Sequence, residues 1–443
     1  MKNKLTNINK YAPILYWLLV LALLALYFTN DFGIVDIHKT SVIVAVGIDT
    51  EEGEVQVTAQ IAIPQPSQSG DNIQYVQVQG SGLTVADALN EINVKTGTYP
   101  QLYFCKLILL GESCQSEELF RMVGCFYRRN YSELTALIAM CKGKAQEMLA
   151  LPATIAPENS TAIQKVLSEE LKKSANVSSV DLKTIAETNY SVSEACFMPY
   201  IEANVQGTSE NGGNGDNVGG ESGDKAGGQG SSDGGSSGGS GQGSSGGGSS
   251  GGSGQGGQSG SGGEGKSGGS GGEGQLMEFT ARKTAVFSGG KFVQILDEQE
   301  AFALNVLKTD ISLAVVPADA DGIHYTIGMK NAGGGVRLKI KDGIPEATLS
   351  FKAKAQIQGA RTVLDPESVL YDDVVRPEVL KATEEEIKRR MESLVKICVE
   401  KNCDVLGIKN LLRKYNYKYY EAYKNDVLTR MRVNYNIKVE SVN

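Results

Sequence analysis

Apolar and polar positions run along the chain in blocks of different period. The first block, Tyr11–Phe28, is an uncharged apolar run of 18 residues. As a helix it would be ~27 Å long at ~1.5 Å per residue, close to the ~30 Å hydrocarbon core of a bilayer. Lys2, Lys4 and Lys10 precede it, and Asp31 and Asp36 follow it. This bias predicts a single-pass anchor: residues 1–10 a basic cytoplasmic tail, 11–28 the span, and the bulk of the chain outside the cytoplasm. Tyr11, Trp17 and Phe28 mark the span, with Trp17 inside the run and the other two at its ends. The competing reading is a cleaved signal peptide, which ends at a small-x-small site. Here the exit, Leu24-Ala25-Leu26-Tyr27-Phe28, is bulky.

Beyond the run, Ser41–Ile48 is almost continuously apolar and reads as a buried strand. Val55, Val57, Ala59, Ile61 and Ile63 then alternate with mostly polar residues, a period-2 strand, and the acidic turn Asp49–Gly53 makes the two a hairpin. Thr84 and Asp87 resemble a capping box, and the helix they open carries Val85, Ala88, Leu89 and Ile92 on one face. Leu102–Leu110 reads as a strand, 116–126 as a helix and Leu134–Cys141 as a strand. Mixed elements in this order predict an α+β or α/β region over residues 31–205.

The pattern stops at Gly207. About half of residues 207–274 are glycine, the rest are mainly serine, glutamine, asparagine and acidic residues, and none is aromatic. Such composition cannot bury enough apolar surface to offset its ordering entropy, which predicts a disordered linker over 206–276 with a span of roughly 45 Å. Its G-x-G-x-x-G matches, such as Gly252, Gly254 and Gly257, follow no strand and open no helix, so they read as accidents of composition.

Periodicity returns in residues 277–443. Thr284–Phe287, Val336–Ile340 and Ala347–Ile357 read as strands. Thr383 with Glu386 has the spacing of a capping box opening a long helix with Ile387, Met391, Leu394, Val395 and Cys398 on one face. A helix over 404–415 follows. Residues 431–440 alternate strictly and read as a half-buried strand. The fold class expected is α+β: mixed-sheet domains behind an N-terminal transmembrane helix, interrupted by the Gly/Ser linker.

Charge and composition narrow the chemistry. A formal net charge of −8 and the lack of any Lys/Arg run argue against nucleic-acid binding. The seven cysteines, at 105, 114, 125, 141, 196, 398 and 403, fit no zinc module and contain no C-x-x-C pair; Cys398 and Cys403 read as core thiols rather than a disulfide. His38 and His324 are the only histidines and have no ligand pattern beside them. No catalytic, metal or cofactor set is expected.

Several segments in matching order resemble the Ger(x)C family, the C subunits of spore germinant receptors. They are Ser41–Asp49 with its Gly47-Ile48-Asp49 turn; Gly80-Ser-Gly82-Leu-Thr84 and its helix, with Lys106–Gly111 beyond; Lys142-Gly-Lys144-Ala145; Thr284–Phe287 with Gly290 and Lys291; and Cys403-Asp404-Val-Leu406-Gly407 with the tyrosines of 415–423. The resemblance implies three mixed α/β domains on the outer face of the spore inner membrane. It implies a non-catalytic role in nutrient sensing, beside an A-type subunit and a transporter-like B-type subunit. It leaves open whether this subunit touches the germinant. Family members are usually lipoproteins, whereas no cysteine precedes Cys105 here, and the Gly/Ser insert is not a general family feature. Gly47, Asp49, Gly82, Asp404 and Gly407 are the motif positions of structural interest. Asp49 and Asp404 read as turn or N-cap carboxylates rather than ligand contacts. The tyrosine stretch reads as core and rim rather than a partner site. Two other functions fit the pattern: an envelope scaffold unrelated to germination, and a tethered cell-wall hydrolase, which the shortage of histidine disfavours.

Overall fold

The computed structural model describes residues 13–25, 40–65, 72–128, 132–152, 159–175, 177–205, 277–309, 311–361 and 374–442. Helix α1 (residues 13–25) is the described part of the predicted span. Ile14, Leu15, Trp17, Leu18, Leu21 and Leu24 are each more than half exposed on it. At ~1.5 Å per residue it measures about 20 Å, and no described helix is long and apolar enough to cross a membrane. The tail 1–10, Tyr11, Phe28 and His38 lie outside the described residues.

β1 (Thr40–Glu51) and β2 (Glu54–Gln65) pair antiparallel around a two-residue turn at Glu52-Gly53. β3 (Asn72–Gly82) adds to β2. α2 (Val85–Thr96) lies back across β3 and is capped by Thr84, whose hydroxyl oxygen accepts the Asp87 N–H. The chain comes very close at Gly80, where a Cβ would stand 2.1 Å from the Ala88 carbonyl oxygen. β4 (Tyr99–Gln101), β5 (Leu107–Leu110), α3 (Leu119–Arg128), β6 (Leu137–Cys141), α4 (Ala145–Ala150), α5 (Asn159–Ser174), α6 (Leu182–Asn189) and β7 (Ala195–Val205) follow. β5 and β6 are shorter than the apolar runs that predicted them. The chain enters β5 through the buried Leu102 and Cys105, which lie in a turn rather than on a strand.

β8 (Met277–Ser288) and β9 (Lys291–Leu296) finish the same sheet, whose order is β3-β2-β1-β5-β6-β7-β8-β9, with β4 beside β1. β1, β5, β6 and β7 are parallel neighbours, and the flanking pairs are antiparallel. Val205 stands directly opposite Met277. The strands on either side of the Gly/Ser segment are therefore hairpin partners, and the described residues before and after that segment belong to one compact unit. The break between the two sheets falls after Leu296. Composition marks where packing stops along the chain; it does not say that the two ends meet again in one ladder. The segment 206–276 itself lies outside the described residues.

α7 (Glu298–Lys308) leads into the second sheet, β10 (Ile311–Ala320), β11 (Ile323–Lys341), β12 (Ile344–Arg361) and, after α8 (Pro377–Glu400) and α9 (Ile408–Tyr415), β13 (Arg432–Ser441). β10, β11 and β12 are antiparallel, and β13 runs parallel to β12. Phe302 and Val306 of α7 and Ile387, Met391 and Leu394 of α8 share one core with Tyr325, Leu349 and Phe351 of the sheet. The first sheet is covered on one face by α2 and α3 and on the other by α4 and α5. The described residues thus form an α+β fold with two sheets.

One helix start differs from expectation. α8 begins at Pro377, a residue well suited to the first helical turn, so Thr383 lies inside the helix. There its hydroxyl donates to the Val379 carbonyl at 2.7 Å, and Glu386 holds Arg389 and Arg390 instead of closing a capping box. The reciprocal box is on α7: Asp297 accepts the Gln299 and Glu300 N–H groups, and Glu300 accepts the Asp297 N–H.

Candidate functional site

The motif residues gather in two places. At the first, β1 delivers Asp49 to the start of α4. Its Oδ1 accepts the Ala145 N–H at 2.8 Å and its Oδ2 accepts the Gln146 N–H at 3.0 Å. Gly47, on the same strand, faces α4 so closely that a Cβ would meet Leu149 at 3.1 Å. The Lys142–Lys144 turn is held from the other side, where Gly143 donates its N–H to Glu112 Oε2 at 3.0 Å and the Tyr200 hydroxyl donates to Glu112 Oε1. Burial pushes the Asp49 carboxyl above the usual aspartate range, against the pull of the two N–H groups and Lys144. Asp49 is 5% exposed and its acceptors are taken, so this cluster fastens strand to helix. Gly82 closes β3 against α2, where a Cβ would stand 2.6 Å from the Asp87 Cβ.

The second place is a cleft of about 490 Å³ between the strand-β7 side of the first sheet and α7 and α9. Asp404 forms part of its floor, at 1% exposure. Oδ1 accepts the Ile408 N–H at 2.7 Å; Oδ2 accepts the Lys409 N–H at 2.7 Å and the Ser193 hydroxyl at 2.6 Å. One carboxylate thus caps α9 and ties it to the turn before β7. Gly407 precedes α9 with φ of 77°, a conformation that strains any side chain, and a Cβ there would meet Lys308 Nζ at 3.4 Å. Beside it the Ser178 hydroxyl donates to Asn305 Oδ1 at 3.0 Å and lies 3.1 Å from Thr284 Oγ1, and Asn305 Nδ2 donates to the Ala175 carbonyl at 2.9 Å. Asn410 Nδ2 donates to Ser191 Oγ at 2.7 Å at the rim.

Lys308 closes the cleft at the end of α7. Its side chain remains accessible, but the cleft walls surround it and strip part of its hydration. That loss pulls its pKa below the usual lysine value, and Asp404 acts in the opposite sense. Burial likewise holds the Asp404 carboxyl above the usual range; the Ser193 hydroxyl, the two N–H groups and Lys308 oppose it.

Of the motif positions, the structure brings Asp404 and Gly407 into the cleft and leaves Gly47, Asp49 and Gly82 elsewhere. Asn305, Lys308, Ser178 and Ser193 carry no motif. The signal for the first two is Asn305 itself, the one amide in the apolar run Ala301–Leu307, on a helix whose start Asp297 and Glu300 announce. Of the tyrosines, Tyr419, Tyr420 and Tyr423 pack against the core while Tyr415 and Tyr417 are exposed. His324 Nδ1 lies 2.7 Å from Asp319 at the surface. Among the described residues no group of histidine, cysteine and carboxylate side chains is placed to hold a metal ion.

Two family models match the chain in order: a spore germination protein N-terminal domain over residues 33–203, and a spore germination B3/GerAC-like C-terminal domain over residues 282–442. A comparison with curated proteins gives no match. Among solved structures, one described as the crystal structure of the GerBC protein aligns at 12% identity over 90% of this chain and 97% of its own, with a TM-score of 0.46.

Proposed function

The chain belongs to the GerAC-like family of spore germination proteins, and we propose that it is a non-catalytic, membrane-anchored C subunit of a nutrient germinant receptor. The observation that carries this reading is the pair of domain matches, which flank the Gly/Ser insert and together cover most of the chain. The anchor is supported by the apolar run of residues 11–28 and by α1, whose apolar side chains stay exposed. In this reading a protein helix replaces the acyl chain of the family's lipoproteins, so attachment is independent of lipidation. The partners are A-type and B-type receptor subunits in the spore inner membrane, with the N-terminus in the cytoplasm.

The role is tested by deleting the gene and following spore germination across a broad nutrient panel. Loss or slowing with some nutrient set is expected, together with co-purification of an A- and a B-type subunit from detergent-extracted spore membranes. Unchanged germination in a strain lacking any paralogue, with no such partner recovered, overturns it. Labelled palmitate incorporated into the chain overturns the helical anchor.

A further inference from the structure

The cleft beside α7 and α9 contains one cation, Lys308, with no hydrogen bond or ion pair to a described residue, although Asp404 attracts it through the cleft. It stands in a cavity whose other deep polar groups are matched with one another. Ser178, Asn305 and Thr284 satisfy each other, and Asp404 accepts from Ser193, Ile408 and Lys409. The polar groups of the floor therefore need nothing further, whereas the three N–H donors of the ammonium meet no acceptor among the described residues. The end of α7 favours a positive charge there, yet a helix end alone satisfies none of those donors directionally.

We propose that this cleft binds a small monocarboxylate, its carboxylate held by Lys308 Nζ and its other polar atoms by the hydroxyls and amide at the rim, Ser179, Thr188, Ser191 and Asn410. The volume of about 490 Å³ lies within the ~300–1,000 Å³ of small-molecule sites. The wall also includes Val180, Ala195, Phe197 and Val405, which give a short carbon skeleton an apolar side to lie against. Charge sets the limit on the ligand. Lys308 is the sole cation of the lining, and Asp404 and Glu187 are both acids. The two carboxylates repel any anion in the cleft, a dianion such as phosphate about twice as strongly as a monoanion, so one lysine contact suits a single negative charge. The geometry also provides for discrimination, because a ligand without a carboxylate leaves the ammonium unpaired in a partly dehydrated site.

The proposal does not depend on the receptor role: binding is measured on the isolated chain, and the role by germination. The full chain in detergent is titrated calorimetrically with L-lactate, and separately with inorganic phosphate at pH 8. Wild type is expected to give saturable one-site heat with lactate and none with phosphate. Lys308→Met is expected to weaken lactate at least about tenfold, a loss of one charge-assisted contact, and Lys308→Arg to retain it. Because Lys308 makes no hydrogen bond or ion pair with a described residue, both variants should fold; Lys308→Gln replaces Met if near-ultraviolet dichroism shows otherwise. As an independent reading, acetylation of Lys308 by an N-hydroxysuccinimide ester, followed by peptide mass spectrometry, should be slowed by lactate while that of the exposed Lys339 is not. Lactate binding of equal strength in the folded Lys308→Met protein, no lactate heat in folded wild type, or phosphate binding as strong as lactate each overturns the proposal.

Discussion

The pairing of Val205 with Met277 brings the two ends of the Gly/Ser insert side by side, so a short turn can take its place. Replacing residues 206–276 by Asn-Gly joins β7 to β8 through the turn that a two-residue hairpin prefers. The ladder from Val205–Met277 down to Ala195–Ser288 is already formed on either side, so no described contact is lost. For a loop that behaves as the coil its composition predicts, closure entropy scales as (3/2)RT ln n. Shortening it from roughly 70 residues to a few then lowers the cost of closure by about 2.5 kcal/mol. Spread over the unfolding entropy of a unit of this size, at ~2.1 cal/mol/K per residue, that is a rise of about 3 °C in Tm. The assay is urea unfolding of the detergent-solubilised chain followed by tryptophan-independent dichroism, with a thermal scan beside it. A midpoint shifted to higher urea, with the slope slightly reduced or unchanged, is expected. A lower midpoint, a second transition or failure to fold refutes the reasoning and makes the insert part of the folded architecture.

Four further outcomes follow from the packing. Asp404→Ala leaves the Ile408 and Lys409 N–H groups and the Ser193 hydroxyl unmatched in a buried site, a loss on the order of 3 kcal/mol by urea midpoint; a change below about 0.5 kcal/mol contradicts the capping role. Since burial raises the Asp404 carboxyl in the folded state, that state holds a proton the unfolded chain has released, so this group makes stability fall as pH rises from the usual aspartate range to the raised one, and flat above it. Asp404→Asn should remove that component of the slope, and superimposable stability–pH profiles count against it. Gly80→Ala drives a methyl toward the Ala88 carbonyl oxygen and should cost about 3 kcal/mol by separating α2 from β3; a near-neutral midpoint means the helix sits farther out. Burial pushes the Cys105, Cys114, Cys196 and Cys403 thiols up to about 12, so iodoacetamide at pH 8 should leave these four unmodified in the native chain and label them only in urea, as peptide mass spectrometry will record.

Much of the local structure is legible because its cause is local. The β1–β2 hairpin follows from an apolar run and an alternating run on either side of an acidic turn, and β13 from strict period 2. The start of α2 follows from Thr84, though Asp87 accepts the threonine hydroxyl instead of reaching back to the backbone. Where two local signals compete, the stronger backbone constraint wins. Pro377 starts α8, and Thr383 becomes an interior residue whose hydroxyl turns to the preceding carbonyl. The parallel pairs β5–β6 and β6–β7 are short and set between crossovers, so periodicity has little length on which to register them.

The amino-acid sequence by itself determined the class of fold, the apolar N-terminal run, the compositional insert and the family, because period, composition and motif order are properties of neighbours in the chain. Only the tertiary structure decided that the insert closes a hairpin, that Asp49 and Asp404 each fasten a helix start to a distant strand or turn, and that Lys308 faces Asp404 across a cleft. Ser193 and Asp404, or Ser178 and Asn305, are joined by hydrogen bonds across more than a hundred residues. Hydrogen bonding and desolvation act at a few ångströms and take no account of chain distance, so no pattern along the sequence records them.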